Sequence, residues 1–155
     1  MKRLIIIAAL LAGFAVTAAA QSKAVGLRFF GGGVLGTEVT YEQYVNGHPH
    51  FVDATIGFPQ WSGVALSATY NHVFFEPYWS DMGDWGIYAG AGLSTGVVGS
   101  HFMFGLVAQA GIEYSFWFPL QISADIRPTF GVSGSDFYTG GMWGFLPSIS
   151  LRYKF

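Results

Sequence analysis

Ser148-Ile149-Ser150-Leu151-Arg152-Tyr153-Lys154-Phe155 closes the chain. Small or charged residues hold the even positions and apolar ones the odd. A period of two puts the two classes on opposite sides of an extended strand. Chain ends usually fray in water. A terminal aromatic, a second one two residues earlier and cations in between therefore mark an ending that is held in place.

The same period recurs upstream. Leu120, Ile122, Ala124 and Ile126 alternate with Gln121, Ser123, Asp125 and Arg127. Leu106, Ala108, Ala110, Ile112, Tyr114 and Phe116 alternate with Val107, Gln109, Gly111, Glu113 and Ser115. Leu35, Thr37, Val39 and Tyr41 alternate with Gly36, Glu38, Thr40 and Glu42. The pattern predicts eight strands: Ala24–Phe30, Leu35–Tyr44, Phe51–Phe58, Val64–Phe74, Trp85–Ser94, Gly105–Phe116, Leu120–Phe130 and Gly144–Phe155. The joins carry turn chemistry, including Asn46-Gly47, Pro77 with Gly83, and Pro119. They are short, so neighbouring strands pair antiparallel. The fold expected is all-β, an eight-stranded antiparallel up-and-down barrel.

The N-terminus reads differently. Lys2 and Arg3 precede the apolar run Leu4–Val16, and Thr17-Ala18-Ala19-Ala20 follows. A basic start, an apolar core and small residues before a cut describe a secretory signal peptide. Cleavage after Ala20 leaves residues 21–155 as the barrel. Five of the seven cations then face nine carboxylates, a net charge of −4. Only 10% of residues are charged, against about 25% in ordinary globular chains. No basic run follows the first three residues, which argues against nucleic-acid binding. The absence of cysteine excludes disulfides, thiolate metal sites and a lipidated Cys.

Which face looks inward decides the setting. Arg28, Glu38, Glu42, Asp53, Glu113, Asp125, Arg127, Arg152 and Lys154 all fall on the polar face. A soluble protein scatters more charge over its exterior. A nearly balanced set suits a lumen, where buried charges must be paired. Eight-stranded barrels have interiors that side chains just fill. The glycine-rich polar face fits such an interior better than the bulky Leu, Ile, Val, Tyr and Phe face. A transmembrane β-barrel is therefore expected, apolar face to lipid. With the termini in the periplasm, Tyr44, Tyr70, Phe74, Trp85, Tyr114, Phe116 and Phe155 form one aromatic rim. Phe58, Trp61, Phe104, Phe130, Trp143 and Phe145 form the other.

The ending resembles the C-terminal signal read by the outer-membrane assembly machinery, with Tyr153 and Phe155 as its aromatics. Ser150 stands where the family usually has Gly. With the signal peptide and the alternation, the chain resembles the small eight-stranded outer-membrane β-barrels of Gram-negative bacteria. That resemblance implies a cell outer membrane location and monomeric state. It also implies contact with membrane lipids and lipopolysaccharide, and the barrel assembly machinery as a partner during insertion. The superfamily holds anchors, adhesins and lipid-modifying enzymes, so fold does not settle function.

The lumen charges are the clearest constellation. Arg28 is expected opposite Glu38, and Glu113 opposite Arg127, forming a plug that ties the wall together rather than an ion path. The leading expectation is a non-enzymatic structural or interaction barrel without cofactor or open pore. A lipid A acyltransferase or deacylase is the alternative, with Ser100, His101 and Asp136 as its weak catalytic candidates. A third reading, a secreted carrier of a hydrophobic ligand, needs the apolar face inside. His48 and His50 flank Pro49 without an evident third ligand, so this is read as a polar turn and no metal site is expected. Pro128 and Pro147 cannot donate to a ladder. Regular pairing should stop near them, at similar heights on neighbouring strands; a lateral gap for a lipid chain is the sharper alternative.

Overall fold

The computed structural model describes residues 22–29, 37–45, 47–58, 63–133, 136–139 and 145–155. The expected signal peptide, Leu35, Gly36, Trp61 and Trp143 lie outside them.

Among the described residues, alternating side chains give ten strands. They are β1 (Lys23–Phe29), β2 (Thr37–Tyr44), β3 (His50–Gly57), β4 (Gly63–Phe75) and β5 (Gly83–Val98), then β6 (His101–Phe116), β7 (Leu120–Ile126), β8 (Thr129–Ser133), β9 (Asp136–Thr139) and β10 (Ser148–Lys154). All pair antiparallel. Each of β1 to β6 pairs with the next, β6 continues onto β7, and β7 onto β10. β10 closes on β1, with Ala24 opposite Lys154 and Phe29 opposite Ile149. β7 and β8 are two halves of one stave, because β6 pairs with both. β9 and β10 share the last stave. The result is a closed eight-stranded up-and-down barrel.

The end that carries Ser22 and Phe155 is called the near end below. Lys23 N–H donates to the Phe155 carbonyl at 3.2 Å, and Phe155 N–H to that of Lys23 at 2.8 Å. The first and last described strands are thus zipped together, and Phe155 is held by the ladder.

The wall differs from expectation in three places. The segment between Ser94 and Gly105, expected as a loop, continues the β5–β6 ladder up to Val98 opposite His101. Only Gly99 and Ser100 turn. Gly99 has φ +62°, a conformation that glycine adopts without steric cost; Gly96 is an ordinary ladder residue. β5 and β6 thus have 16 residues each, against 7 or 8 in β1, β2 and β3. The second difference is β9, which arises within the stretch read as a join and pairs with β8. The third is strand eight, which was expected from Gly144 and begins at Ser148.

Both prolines act as their missing N–H requires. The β7–β10 ladder ends at Asp125 opposite Ser148, just short of Pro128 and Pro147. On its other edge Pro128 needs no donor: its carbonyl accepts from Ala108 N–H at 3.0 Å, and β6 pairs on into β8.

The distribution of side chains is inverted relative to a water-soluble domain. Among the described residues the buried apolar set is Ala24, Phe51, Val73, Tyr88 and Val107. The buried polar set is more than three times as large and includes three arginines and five carboxylates. Leu27, Val39, Leu66, Leu93, Leu106, Ile149 and Leu151 are exposed on the outer wall. At the near rim, Trp79, Trp85, Tyr114, Phe116, Phe118 and Trp117 form a row of touching rings with centroids 4.6 to 5.5 Å apart. Tyr44 departs from its expected place. It shares the parity of Glu42, turns toward the lumen and packs against Phe51 at 5.4 Å.

The closing seam is tight. A Cβ on Gly26 would collide with the Leu151 carbonyl oxygen and stand 2.6 Å from the Arg152 Cα. Only glycine lets β1 and β10 approach so closely.

Candidate functional site: the charged lumen

Inward positions of β1, β2, β3, β6, β7 and β10 bring the polar face together at the axis. Arg28 projects from β1. Its Nη2 donates to Asp53 Oδ2 at 2.7 Å and to Asp125 Oδ2 at 2.9 Å, and its Nε donates to Ser150 Oγ at 3.1 Å. The expected Arg28–Glu38 contact is present at 3.6 Å but is the longest of its ion pairs. Arg152 from β10 reaches Asp53 Oδ2 at 3.1 Å and Glu42 Oε2 at 3.3 Å, and donates to Ser123 Oγ at 2.8 Å.

Asp53 is the hub. Its Oδ2 accepts from Arg28, Arg152 and, at 3.1 Å, Gln109 Nε2; its Oδ1 accepts from Thr40 Oγ1 at 2.7 Å. Those donors stand on β1, β10, β6 and β2. Asp125 plays a similar part from β7, accepting from Arg28, from Tyr88 OH at 3.0 Å and from Ser148 Oγ at 2.8 Å. Thr69 donates to Gln109, and Asn71 donates to Thr69 Oγ1 at 3.0 Å.

The expected Glu113–Arg127 pair does not form. Register explains why: Glu113 stands opposite Ser123, four residues nearer the near end than Arg127. Glu113 accepts instead from Tyr44 OH at 2.7 Å and from Gln121 Nε2 at 2.9 Å. Gln121 also donates to Glu42 at 2.8 Å, bridging the two carboxylates. Arg127 forms the far layer, 3.4 Å from Glu38 and donating to Thr55 Oγ1 at 3.2 Å and Ser67 Oγ at 2.8 Å. Lys154 lies outside the central network. It is half-buried at the near mouth and donates to the Phe116 carbonyl at 2.8 Å.

Three buried guanidinium groups thus meet five buried carboxylates along the axis. Such charges are tolerated only when paired and hydrogen-bonded. Each guanidinium bonds to staves other than its own, so the arrangement can brace the wall from within. Beneath it, Phe51, Val73 and Tyr88 pack together with Tyr44 beside them, an apolar layer below the central charges. Strand parity alone carried this signal, since Phe51 has the parity of Asp53 and Tyr88 that of Gly86 and Gly90. The near mouth itself is an open cavity of about 540 Å³ floored by Glu113 and Tyr44.

The weak catalytic candidates sit at the far end. Ser100 and His101 are exposed at the tip of the β5–β6 hairpin. Asp136 begins β9, opposite Ser133 of β8, which in turn faces Met103. Its side chain lies outside the described residues. Tyr153 and Phe155 are exposed on the outer wall, while Arg152 between them is buried.

Compared with known protein families, curated proteins and solved structures, the chain matches none.

Proposed function

We propose that this protein is an integral outer-membrane β-barrel with a structural or interaction role, its outer wall in lipid and its lumen closed to ion flow. One observation carries the reading: the interior is ionic and hydrogen-bonded while the exterior is apolar. In water the exterior would expose a continuous hydrophobic surface far beyond what soluble monomers carry. In a bilayer the same surface is solvated by acyl chains, and the ladder closes from β1 onto β10 as a membrane barrel requires. The near-rim rings suit the amphipathic interface. Filling of the axis by Arg28, Arg152, Asp53 and Asp125 supports a plug rather than a channel. The carrier alternative needs an apolar, empty lumen, and the interior is neither.

Alkaline extraction of membranes from cells producing the protein tests this. The protein is expected to stay in the pellet, as a lipid-embedded barrel does. Release into the supernatant would overturn the reading.

A further inference from the structure

The polar turn after β2 separates two histidines that the sequence places side by side. His48 stays at the near mouth, stacked on Tyr44 at 5.4 Å with its Nε2 2.7 Å from Glu76 Oε1. His50 opens β3 on the outer face. There it meets His72, its direct partner across the β3–β4 ladder. The two Nδ1 atoms stand 3.3 Å apart, with ring centroids 4.6 Å apart.

We propose that His50 and His72 form a site for a borderline divalent transition-metal ion, Cu²⁺ foremost, on the outer wall at the near rim. The geometry carries it. Two imidazole nitrogens bound to one ion at about 2.0–2.1 Å are separated by about 2.9 Å as neighbouring ligands of a tetragonal ion such as Cu²⁺ and by about 3.3 Å on a tetrahedral one. The Nδ1 atoms, 3.3 Å apart, already stand within a few tenths of an ångström of either spacing. Neutral imidazole suits Cu, Ni and Zn, and the affinity order among them favours Cu²⁺.

The backbone beneath is fixed on both sides of the pair. Phe51 stands opposite Asn71 in the ladder, and Val73 N–H donates to the Pro49 carbonyl at 2.9 Å. Phe51 and Val73 are buried in the lumen, which holds the intervening side chains outward. The Tyr70 ring lies over His50, 5.6 Å away and 17° from parallel, and restricts its swing. The site therefore costs little reorganisation. Both residues stand at the near rim, His72 exposed and His50 half-buried, so on the membrane reading above water at the interface supplies the remaining oxygens of the coordination shell.

Calorimetric titration of untagged, folded protein in detergent with CuCl₂ is the test. Wild type is expected to bind one Cu²⁺ saturably. His50→Ala and His72→Ala should each weaken binding by about tenfold or more, since each removes one of two protein ligands. His48→Ala and His101→Ala should bind as wild type does. His50→Gln and His72→Gln, with unchanged far-UV circular dichroism, separate ligand loss from unfolding. Absence of saturable binding in wild type overturns the proposal. So does undiminished binding in the His50 and His72 variants, or loss confined to the His48 or His101 variants.

Discussion

Asp53 accepts hydrogen bonds from four side chains on four strands, and two of the donors are guanidinium groups. Removing it leaves Arg28 leaning on Asp125 and Glu38, and Arg152 on Glu42. Breaking a buried ion network by deleting one partner costs about 3–5 kcal/mol. Asp53→Ala should therefore lower the denaturant midpoint in detergent by an amount in that range. Glu76→Gln, which touches only the half-exposed His48 pair, should shift it little, since exposed pairs contribute about 0–1 kcal/mol. Equal shifts in the two variants would remove Asp53 from its central position. At this scale the sequence was legible in parity: it sorted Arg28, Asp53, Asp125 and Arg152 to one face. It was not legible in pairing. Glu113 and Arg127 belong to adjacent strands, but which residues share a level depends on shear between strands, and no local pattern encodes that. The aromatic ring of Tyr44 suggests an outward place in the rim, whereas its parity with Glu42 points inward, and parity prevails.

Among elements, the β1–β10 seam is the place where the barrel closes. Gly26 lies opposite Arg152 there, and a methyl group has no room against the Leu151 carbonyl. Overpacking of this kind typically costs about 1–3 kcal/mol. Gly26→Ala should lower the unfolding midpoint and speed amide exchange in β1 and β10 more than in β5 and β6. Uniform protection in the variant would show that the seam can widen without consequence. Most strands could be read from alternation, since a period of two persists wherever one face differs chemically from the other. The extra length of β5 and β6 escaped because Gly96 and Gly99 look alike in a sequence, yet only Gly99 takes the positive φ that turns the chain. Pro128 and Pro147 did announce the end of their shared ladder, because a missing donor is a property of the residue itself. That β6 would keep pairing past Pro128 was not visible, as it depends on which edge the proline presents.

For the molecule as a whole, stability comes from two separate sources. Inside, the ion network and the small Phe51–Val73–Tyr88 cluster join staves across the axis. Outside, the apolar wall contributes only if something apolar covers it, at roughly 25 cal/mol per Å² of surface removed from water. Folding of the protein is therefore expected to depend on an amphiphile. Both sources presuppose a wall whose apolar side chains point away from the axis. The chain contains no cysteine, so single cysteines can be placed at will. Ile149, Leu151 and Tyr153 are exposed on β10. Fluorophores on Ile149→Cys, Leu151→Cys and Tyr153→Cys, in protein reconstituted into vesicles, should be quenched by brominated acyl chains and shielded from aqueous iodide at Ile149 and Leu151. Quenching by iodide alone at both of those positions would place the wall in water and contradict the account.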